Sequence, residues 1–393
     1  MSSYQPLSRL LLLSTIQTLI PALLLITTPK RSPLRYLSIP CMIFILSMML
    51  HPVKTSCYLA GTSAGAGWMS ILFALDILLI NPKHAEDFIN NKKITTNSFL
   101  SRLKSALELR ANLRRVNTPR ETKNIPPFPK YYAKRGITRG RFLVRETVIA
   151  VWQYLVLDVL TVELWIERLI TTLVAWFIVS RILSEFYYRS FAVPCVALRV
   201  ESPENFPTLF NKMVDAYTLR GFWGKFWHQT LRTNFTAVSN FLTRDILNLP
   251  KPSLLERYTN VFLVFCLSGI MHVVIDVVSN IPVRESGAMR FFLSFPFGYM
   301  IEDGVQAGWR KLQGSKKKAG TEAEWWERAI GFVWVVGFLT VTFVPYSEPM
   351  QKGPERLFVL VSWSIVKVIG VKLVGGLIVG VGVLIMVVFG GEV

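Results

Sequence analysis

The sequence predicts an all-α fold, a polytopic bundle of transmembrane helices. Only 18% of the residues are charged and 51% are hydrophobic, whereas soluble domains carry about 25% charged residues. The apolar residues also form separate blocks close to the length that crosses a bilayer as a helix, about 20 residues. We therefore expect about eight spans, within a range of about seven to ten, in a protein that resides in the lipid bilayer.

The N-terminal region, residues 1–80, contains three of these apolar blocks. They run from about Leu7 to Ile26, from Leu37 to Leu50 and from Cys57 to Ile80. No small-residue cleavage site follows the first block, so we interpret it as a retained span rather than a signal peptide. The third block is rich in glycine and alanine, which let neighbouring helices approach closely in lipid.

Residues 81–141 interrupt the apolar pattern with a strongly basic stretch. They contain fifteen Lys or Arg against four Asp or Glu, which accounts for more than half of the net charge of +19. Cytoplasmic loops carry such an excess, so we predict a cytosolic loop with an amphipathic helix around residues 99–116. We interpret it as a solvated loop that sets topology, and its charge as attraction to anionic lipids and ligands rather than to nucleic acid.

Residues 142–393 form the predicted catalytic membrane domain. The segment 191–200 is too short to cross, and 201–252 is mixed and aromatic-rich, which indicates a position at the membrane surface. Glu167 and Arg168 are expected at the interface. If the spans alternate, the basic loops fall on the cytosolic side and the amino terminus on the other. The predicted spans are Phe142–Val162, Leu164–Leu183, Val261–Ile281, a marginal Phe291–Val305, Ala329–Pro345 and Leu357–Gly390, the last as one tilted helix or two short ones.

The scarcity of metal-ligating residues narrows the chemistry. Four histidines stand far apart, at positions 51, 84, 228 and 272, and cannot form the clustered boxes of a di-iron desaturase. The sequence contains neither the H-E-x-x-H motif of a zinc protease nor the D-x-x-D pair of a prenyltransferase. It also contains no C-x-x-C pair. We expect no metal, and assign no role to His51 or His84.

His272 lies inside a predicted span, in the stretch Ser-Gly-Ile-Met-His-Val-Val-Ile-Asp from Ser268 to Asp276. Ionisable residues within spans are costly and are therefore functional candidates. Residues four apart share a helix face, so we expect Asp276 to accept a hydrogen bond from one imidazole nitrogen and leave the other as a base. The alternative is a buried histidine that only hydrogen-bonds between helices.

A second candidate cluster surrounds His228. Two tryptophans enclose a Gly-Lys-Phe stretch, and hydrogen-bond donors follow, an arrangement that would suit a thioester or phosphate-bearing cosubstrate. The alternative is an aromatic belt at the membrane interface. The candidate residues are Trp223, Lys225, Trp227, His228, Gln229, Arg232 and Asn234.

The motif Phe-Trp-Gly-x-x-Trp-His-Gln at 222–229, followed by Ser-Gly-x-x-His at 268–272, resembles the wax synthase-like branch of the membrane-bound O-acyltransferases. The strong similarity covers about residues 207–281. Fungal proteins of this branch commonly acetylate terpenoid or meroterpenoid alcohols. Many relatives have an acidic residue just before Phe-Trp, where this chain has Gly221.

The resemblance implies roles for the candidate residues. His272 would be the catalytic base that deprotonates an acceptor hydroxyl, and His228, with Gln229 or Asn234, would stabilise the oxyanion. Basic residues would receive the phosphates of acetyl-CoA, a cosubstrate rather than a bound cofactor. The location implied is the endoplasmic reticulum membrane. The basic residues are Arg220, Lys225 and Arg232.

Three other functions remain open from the sequence. A long-chain wax or sterol ester synthase would differ only in the width of the acyl tunnel. A proton-coupled transporter could use histidine and aspartate within spans, although no internal repeat indicates one. A membrane scaffold with structural histidines is the third possibility.

Overall fold

The structure is a computed structural model that describes residues 4–53, 58–83, 98–133, 136–162, 173–313, 323–351 and 363–391. Within these ranges it is α-helical and contains no β-strand. The chain divides into two compact units. His84, Glu167 and Arg168 lie outside the described residues.

The first unit comprises Met1–Lys54, Leu59–Arg115 and Lys212–Met350. Two π-helical turns extend its helices, Leu75–Ile80 after α3 and Phe241–Ile246 after α7. Its helices are α1 (Leu7–Thr27), α2 (Pro33–Met49), α3 (Tyr58–Ala74), α4 (Phe99–Ala111), α7 (Arg232–Asn240), α8 (Leu254–Val278), α9 (Ala288–Gln313) and α10 (Trp325–Gln351).

Helix pairs build the core of the first unit. Helix α1 packs against α2 and α4, α8 packs along α9, and α7 packs against both α8 and the π-helical end of α3. Apolar side chains from α3, α7 and α8 meet in one cluster, which fixes these three helices together. Its buried members are Met69, Leu72, Phe235, Val238 and Met271.

Gly269 allows the close crossing of α8 and α9. A Cβ atom at this position would lie 2.7 Å from Sδ of Met289 and 3.5 Å from Cβ of Phe292. Such small residues at helix contacts are typical of packing in membranes. The crossing brings the aromatic face of α9 against the middle of α8.

The second unit comprises Val116–Asn211, Gln351–Val393 and Thr55–Tyr58. Its helices are α5 (Arg139–Val162), α6 (Leu173–Ala197) and α11 (Val371–Phe389), with a short turn at Val366–Ile369. Helix α5 packs against both α6 and α11. The predicted division into regions 1–80, 81–141 and 142–393 stays a prediction.

Helix α6 differs from the sequence prediction. We expected a span ending at Leu183 and a separate short segment from Phe191, but the helix continues from Leu173 to Ala197. The polar residues that interrupted the hydropathy are paired inside the unit: Arg189 donates to Glu185 at 3.0 Å and to Glu146 of α5 at 2.9 Å. Because these ion pairs compensate the buried charges, the helix continues through the polar stretch.

Among the described residues, five helices are long and apolar enough to cross a membrane: Leu7–Thr27, Leu59–Ile80, Leu254–Val278, Trp325–Met350 and Val371–Phe389. These confirm the predicted all-α membrane bundle. The total of about eight spans stays a prediction, because α2, α5, α6 and α9 are shorter or more polar.

The basic stretch contains the predicted amphipathic helix, α4, which begins after the capping residue Ser98. The prediction of a solvated loop is wrong, however, for the C-terminal end of α4 and the residues just after it. Arg110, Arg114 and Arg115 are only 9%, 3% and 5% exposed. They are buried because α4 packs on α1 and turns its basic end toward α3.

Candidate active site

The tryptophan-rich segment, residues 219–230, folds as a compact turn in the first unit. One helical turn, Leu219–Gly221, leads into a π-helix at Phe222–Phe226. Thr218 caps the start by accepting a hydrogen bond from the Gly221 amide at 2.8 Å. The turn is held by the two buried phenylalanines, and the intervening tryptophan projects toward α8 and α9.

Trp223 packs edge-on against Phe265 of α8 and Phe295 of α9, with ring centroids 6.0 and 5.1 Å away. Trp227 stacks on Phe222 at 5.6 Å. Both tryptophans are half-buried. Trp223 therefore contacts the helices that carry the second candidate motif, a placement that differs from a belt facing the lipid.

Gln229 and Arg232 donate hydrogen bonds to backbone carbonyl groups of the tryptophan-rich segment. The Gln229 amide donates to the carbonyl oxygens of Trp223 and Trp227, at 3.0 and 2.5 Å. Arg232 donates to Oε1 of Gln229 and to the carbonyl of Gly224, both at 3.1 Å. An irregular turn leaves carbonyl groups that need such partners, so the predicted oxyanion role does not match the hydrogen bonds of Gln229.

His228 follows the π-helix and is half-buried, with its ring 5.6 Å from that of Trp227. Its Nδ1 lies 2.9 Å from the hydroxyl of Thr230. Burial, with smaller contributions from the charges of His272 and Arg114, lowers the pKa of His228 to about 4. The ring is therefore neutral at neutral pH; when Thr230 donates to Nδ1, Nε2 carries the hydrogen.

His272 lies on α8, where its Nδ1 is 2.9 Å from the backbone carbonyl oxygen of Ser268. A carbonyl oxygen can only accept, so Nδ1 carries the hydrogen of the neutral ring. The lone pair is then on Nε2, which is the atom that can act as a base. The ring packs on Phe292 of α9, with centroids 4.3 Å apart.

The position of Asp276 corrects one expectation from the sequence. Asp276 is buried one turn beyond His272, but its Oδ2 accepts a hydrogen bond from the hydroxyl of Ser286 at 2.6 Å. The imidazole of His272 instead donates back along its own helix to Ser268. Ser286, in the loop between α8 and α9, is the donor that Asp276 contacts. The tautomer of His272 is therefore set by the backbone carbonyl of Ser268.

The two histidines lie in one site. A continuous series of ring contacts joins them: Trp227, beside His228, contacts Trp223 at 5.8 Å, and Trp223 contacts Phe292, beside His272, at 6.1 Å. Asn234 is buried at the start of α7. The fold thus brings together both halves of the motif.

The three basic residues expected to bind CoA phosphates differ in their surroundings. Arg220 pairs with Asp303 at 2.7 Å and lies over the ring of Tyr299. Arg232 holds the turn, as described above. Lys225 is exposed. Lys225 therefore points outward, whereas both arginines make contacts within the protein.

Gly221 is explained by the backbone around it. A Cβ atom there would lie 2.1 Å from the carbonyl oxygen of Asp215, so no acidic side chain fits. A carboxylate reaches the same turn from α9: Glu302, which is 5% exposed, accepts hydrogen bonds from the amides of Leu219 at 2.5 Å and Arg220 at 3.4 Å.

The sequence did not single out Glu302 or Thr230, and it did not indicate that Arg114 is buried. Glu302 follows an apolar block together with Asp303, a pair that reads as the polar end of a helix. Arg114 is one of fifteen basic residues in its stretch. Neither carries a local pattern that separates it from ordinary surface charge.

Comparisons with known proteins place this region in a family. A family model described as the membrane bound O-acyl transferase family matches residues 206–294, which contain both histidines. No solved structure matches the chain.

Related proteins align over nearly the whole chain. The acetyltransferase atnC of an Arthrinium species is 38% identical over 98% of this chain and 98% of its own length. The acetyltransferase pyr8 of Aspergillus fumigatus is 34% identical over 95% and 94%, and the acetyltransferase TRI7 of Fusarium sporotrichioides is 30% identical over 95% and 93%. The chain therefore belongs to the membrane bound O-acyl transferase family and is an acyl-transferring integral membrane enzyme.

Proposed function

We propose that the protein transfers an acetyl group from acetyl-CoA to a hydroxyl of a hydrophobic secondary metabolite, a terpenoid or meroterpenoid alcohol. The observation that carries the proposal is the hydrogen bond from His272 Nδ1 to the Ser268 carbonyl, which directs a basic Nε2 away from the helix backbone. The relatives are named acetyltransferases, which supports acetyl over longer acyl groups.

The reaction begins at Nε2 of His272. This nitrogen removes the proton of the acceptor hydroxyl as the oxygen attacks the thioester carbonyl, and the carbonyl electrons move to its oxygen. When the tetrahedral intermediate collapses, the carbon–sulfur bond breaks. The protonated His272 then gives its proton to the departing CoA thiolate, and the ester is released.

We propose that His228 stabilises the oxyanion of that intermediate. With Nδ1 accepting from Thr230, its Nε2–H is a neutral donor directed by the tryptophan-rich segment. A neutral donor beside the neutral base avoids a second positive charge that would oppose protonation of His272. Preorganised donors of this kind are commonly the largest electrostatic contribution to acyl transfer.

We infer that the two substrates arrive by different routes. The alcohol enters from the bilayer, and acetyl-CoA approaches from the cytosolic side, where the basic loops are expected. We further propose that the protein resides in the endoplasmic reticulum membrane, the location that the family resemblance implies. The donor is a cosubstrate, and no resident cofactor takes part in the scheme.

The test is an acyl-transfer assay in microsomes that contain the protein. Labelled acetyl-CoA is supplied with a panel of terpenoid alcohols, and ester formation is followed by chromatography. We expect acetyl esters of at least one alcohol, and far less product with palmitoyl-CoA. Preference for palmitoyl-CoA would replace the proposal with a wax or sterol ester synthase, and absence of transfer from every acyl-CoA would refute it.

A further inference from the structure

Tyr346 of α10 lies beside the proposed base, His272. The centroid of its ring is 6.5 Å from that of the imidazole, and the two rings meet edge-on at 78°. Tyr346 is 6% exposed, and its ring stacks on Phe291 of α9 with centroids 5.2 Å apart. The base therefore has an aromatic neighbour from a third helix, which lies outside residues 206–294.

The loop between α8 and α9 fixes the backbone at Tyr346. A Cβ atom at Gly287 would lie 2.6 Å from Cα of Tyr346, so only glycine lets the loop approach α10 this closely. The preceding residue, Ser286, donates its hydroxyl to Asp276 of α8 at 2.6 Å. The loop is thus attached to α8 and packed against α10, which holds Tyr346 at a defined position relative to His272.

The hydroxyl of Tyr346 is available to a ligand. It makes no hydrogen bond with the residues that the structure describes, whereas buried polar groups in proteins nearly always have a partner. The neighbouring rings of Phe291, Phe292 and Phe343 carry no polar atom that could serve as one. A phenol can both donate and accept, so a bound molecule that carries a hydroxyl would satisfy it.

Tyr346 and the tryptophan-rich segment approach α8 at different levels. Trp223 contacts Phe265, seven residues before His272, which corresponds to about 10 Å along the helix axis. Tyr346 lies level with His272 and next to the loop that follows α8. Because the tryptophan-rich segment carries His228, which we propose meets the thioester, the side of the base that Tyr346 borders is left to the acceptor.

We propose that Tyr346 binds the acceptor alcohol, with its hydroxyl donating a hydrogen bond to the oxygen that His272 deprotonates. The alcohol then gives its proton to Nε2 of His272, and the phenol occupies one lone pair of the oxygen while another attacks the thioester carbonyl. This inference rests on the proposed acetyl transfer. The rings of Phe291 and Phe343 flank Tyr346, so the site suits a hydroxyl on an apolar skeleton rather than a polyol, whose further hydroxyls would lack partners.

The test is Tyr346→Phe, which removes the hydroxyl and keeps the ring and its packing. With the best alcohol of the terpenoid panel, we expect kcat/KM for the alcohol to fall about 10- to 100-fold, because a hydrogen bond to the substrate is lost in a buried site. The KM for acetyl-CoA should stay within about twofold of wild type, since the hydroxyl does not contact the donor. Stabilisation of the variant by acetyl-CoA against heat should equal that of wild type.

The matched control is Tyr36→Phe, which removes a hydroxyl from a tyrosine of α2 that is 60% exposed. This variant should keep the wild-type kinetic constants for both substrates. Unchanged kinetics of Tyr346→Phe, or a loss expressed only in the KM for acetyl-CoA, would overturn the inference. If the wild type acetylates no alcohol of the panel, the proposed function fails instead.

Discussion

Replacement of Glu302 tests how the tryptophan-rich segment is held beside α8. One oxygen of this carboxylate, Oε1, accepts the amide hydrogen of Leu219 at 2.5 Å and the indole hydrogen of Trp334 at 2.9 Å. The other oxygen is 3.4 Å from the amide of Arg220, which is a long contact. Glu302 thus joins α9, α10 and the start of the segment through two full hydrogen bonds.

The expected loss of stability follows from these two hydrogen bonds. A hydrogen bond to a charged group contributes about 1.5–3 kcal/mol, so Glu302→Ala should lower the free energy of unfolding by about 3–6 kcal/mol. Glu302→Gln keeps an oxygen that can accept both strong bonds and loses only the charge. We expect a cost of about 1–3 kcal/mol for this variant.

The assay is thermal unfolding of the purified protein in detergent, followed by acetyl transfer at a temperature where each variant is folded. The alanine variant should show the lower midpoint and reduced kcat, and the glutamine variant should lie near wild type in both. Glu285→Ala, which alters an exposed carboxylate, is the matched control. Equal damage by alanine and glutamine would refute the hydrogen-bond account, and a harmless alanine would refute any positioning role.

Three further substitutions follow from the site geometry. Gly221→Ala should lower expression and thermal stability, because its Cβ would lie 2.1 Å from the Asp215 carbonyl; normal stability would show that the turn relaxes freely. His228→Ala should lower kcat about 100-fold or more, as for loss of an oxyanion donor. Because the pKa of His228 is lowered to about 4, its protonation should not limit the wild-type rate between about pH 6 and 8, which a pH–rate profile checks. Asp276→Asn should leave kcat within about tenfold of wild type, since Asp276 bonds Ser286 rather than the base; a larger loss would place Asp276 in proton transfer.

The sequence pattern predicted the bounds of some individual helices, although not of α6. The predicted span Leu7–Ile26 corresponds to α1, Leu7–Thr27, and the amphipathic helix expected from residue 99 begins there as α4. Both follow from composition along a continuous stretch, because one helix satisfies its own backbone whatever surrounds it. The family resemblance carried by the two histidine motifs also implied that they act in one site, which stays a prediction.

Partners distant in the chain could not be predicted in the same way. Helical spacing placed Asp276 on the face of His272, but it gave no information on Ser286, which approaches from the following loop. The ion pair between Glu146 and Arg189 crosses from α5 to α6, and hydropathy gives no information on such pairing. Glu302 likewise gains its role from tertiary contacts.

The most direct test of the central claim is the turnover of His272→Ala with acetyl-CoA and an accepted alcohol. Loss of a general base should lower kcat about 100- to 10,000-fold, with little change in the KM for acetyl-CoA. His51→Ala, which removes an exposed histidine, is the control and should retain wild-type turnover. A His272→Ala enzyme with the wild-type kcat would contradict the assignment of His272 as the base.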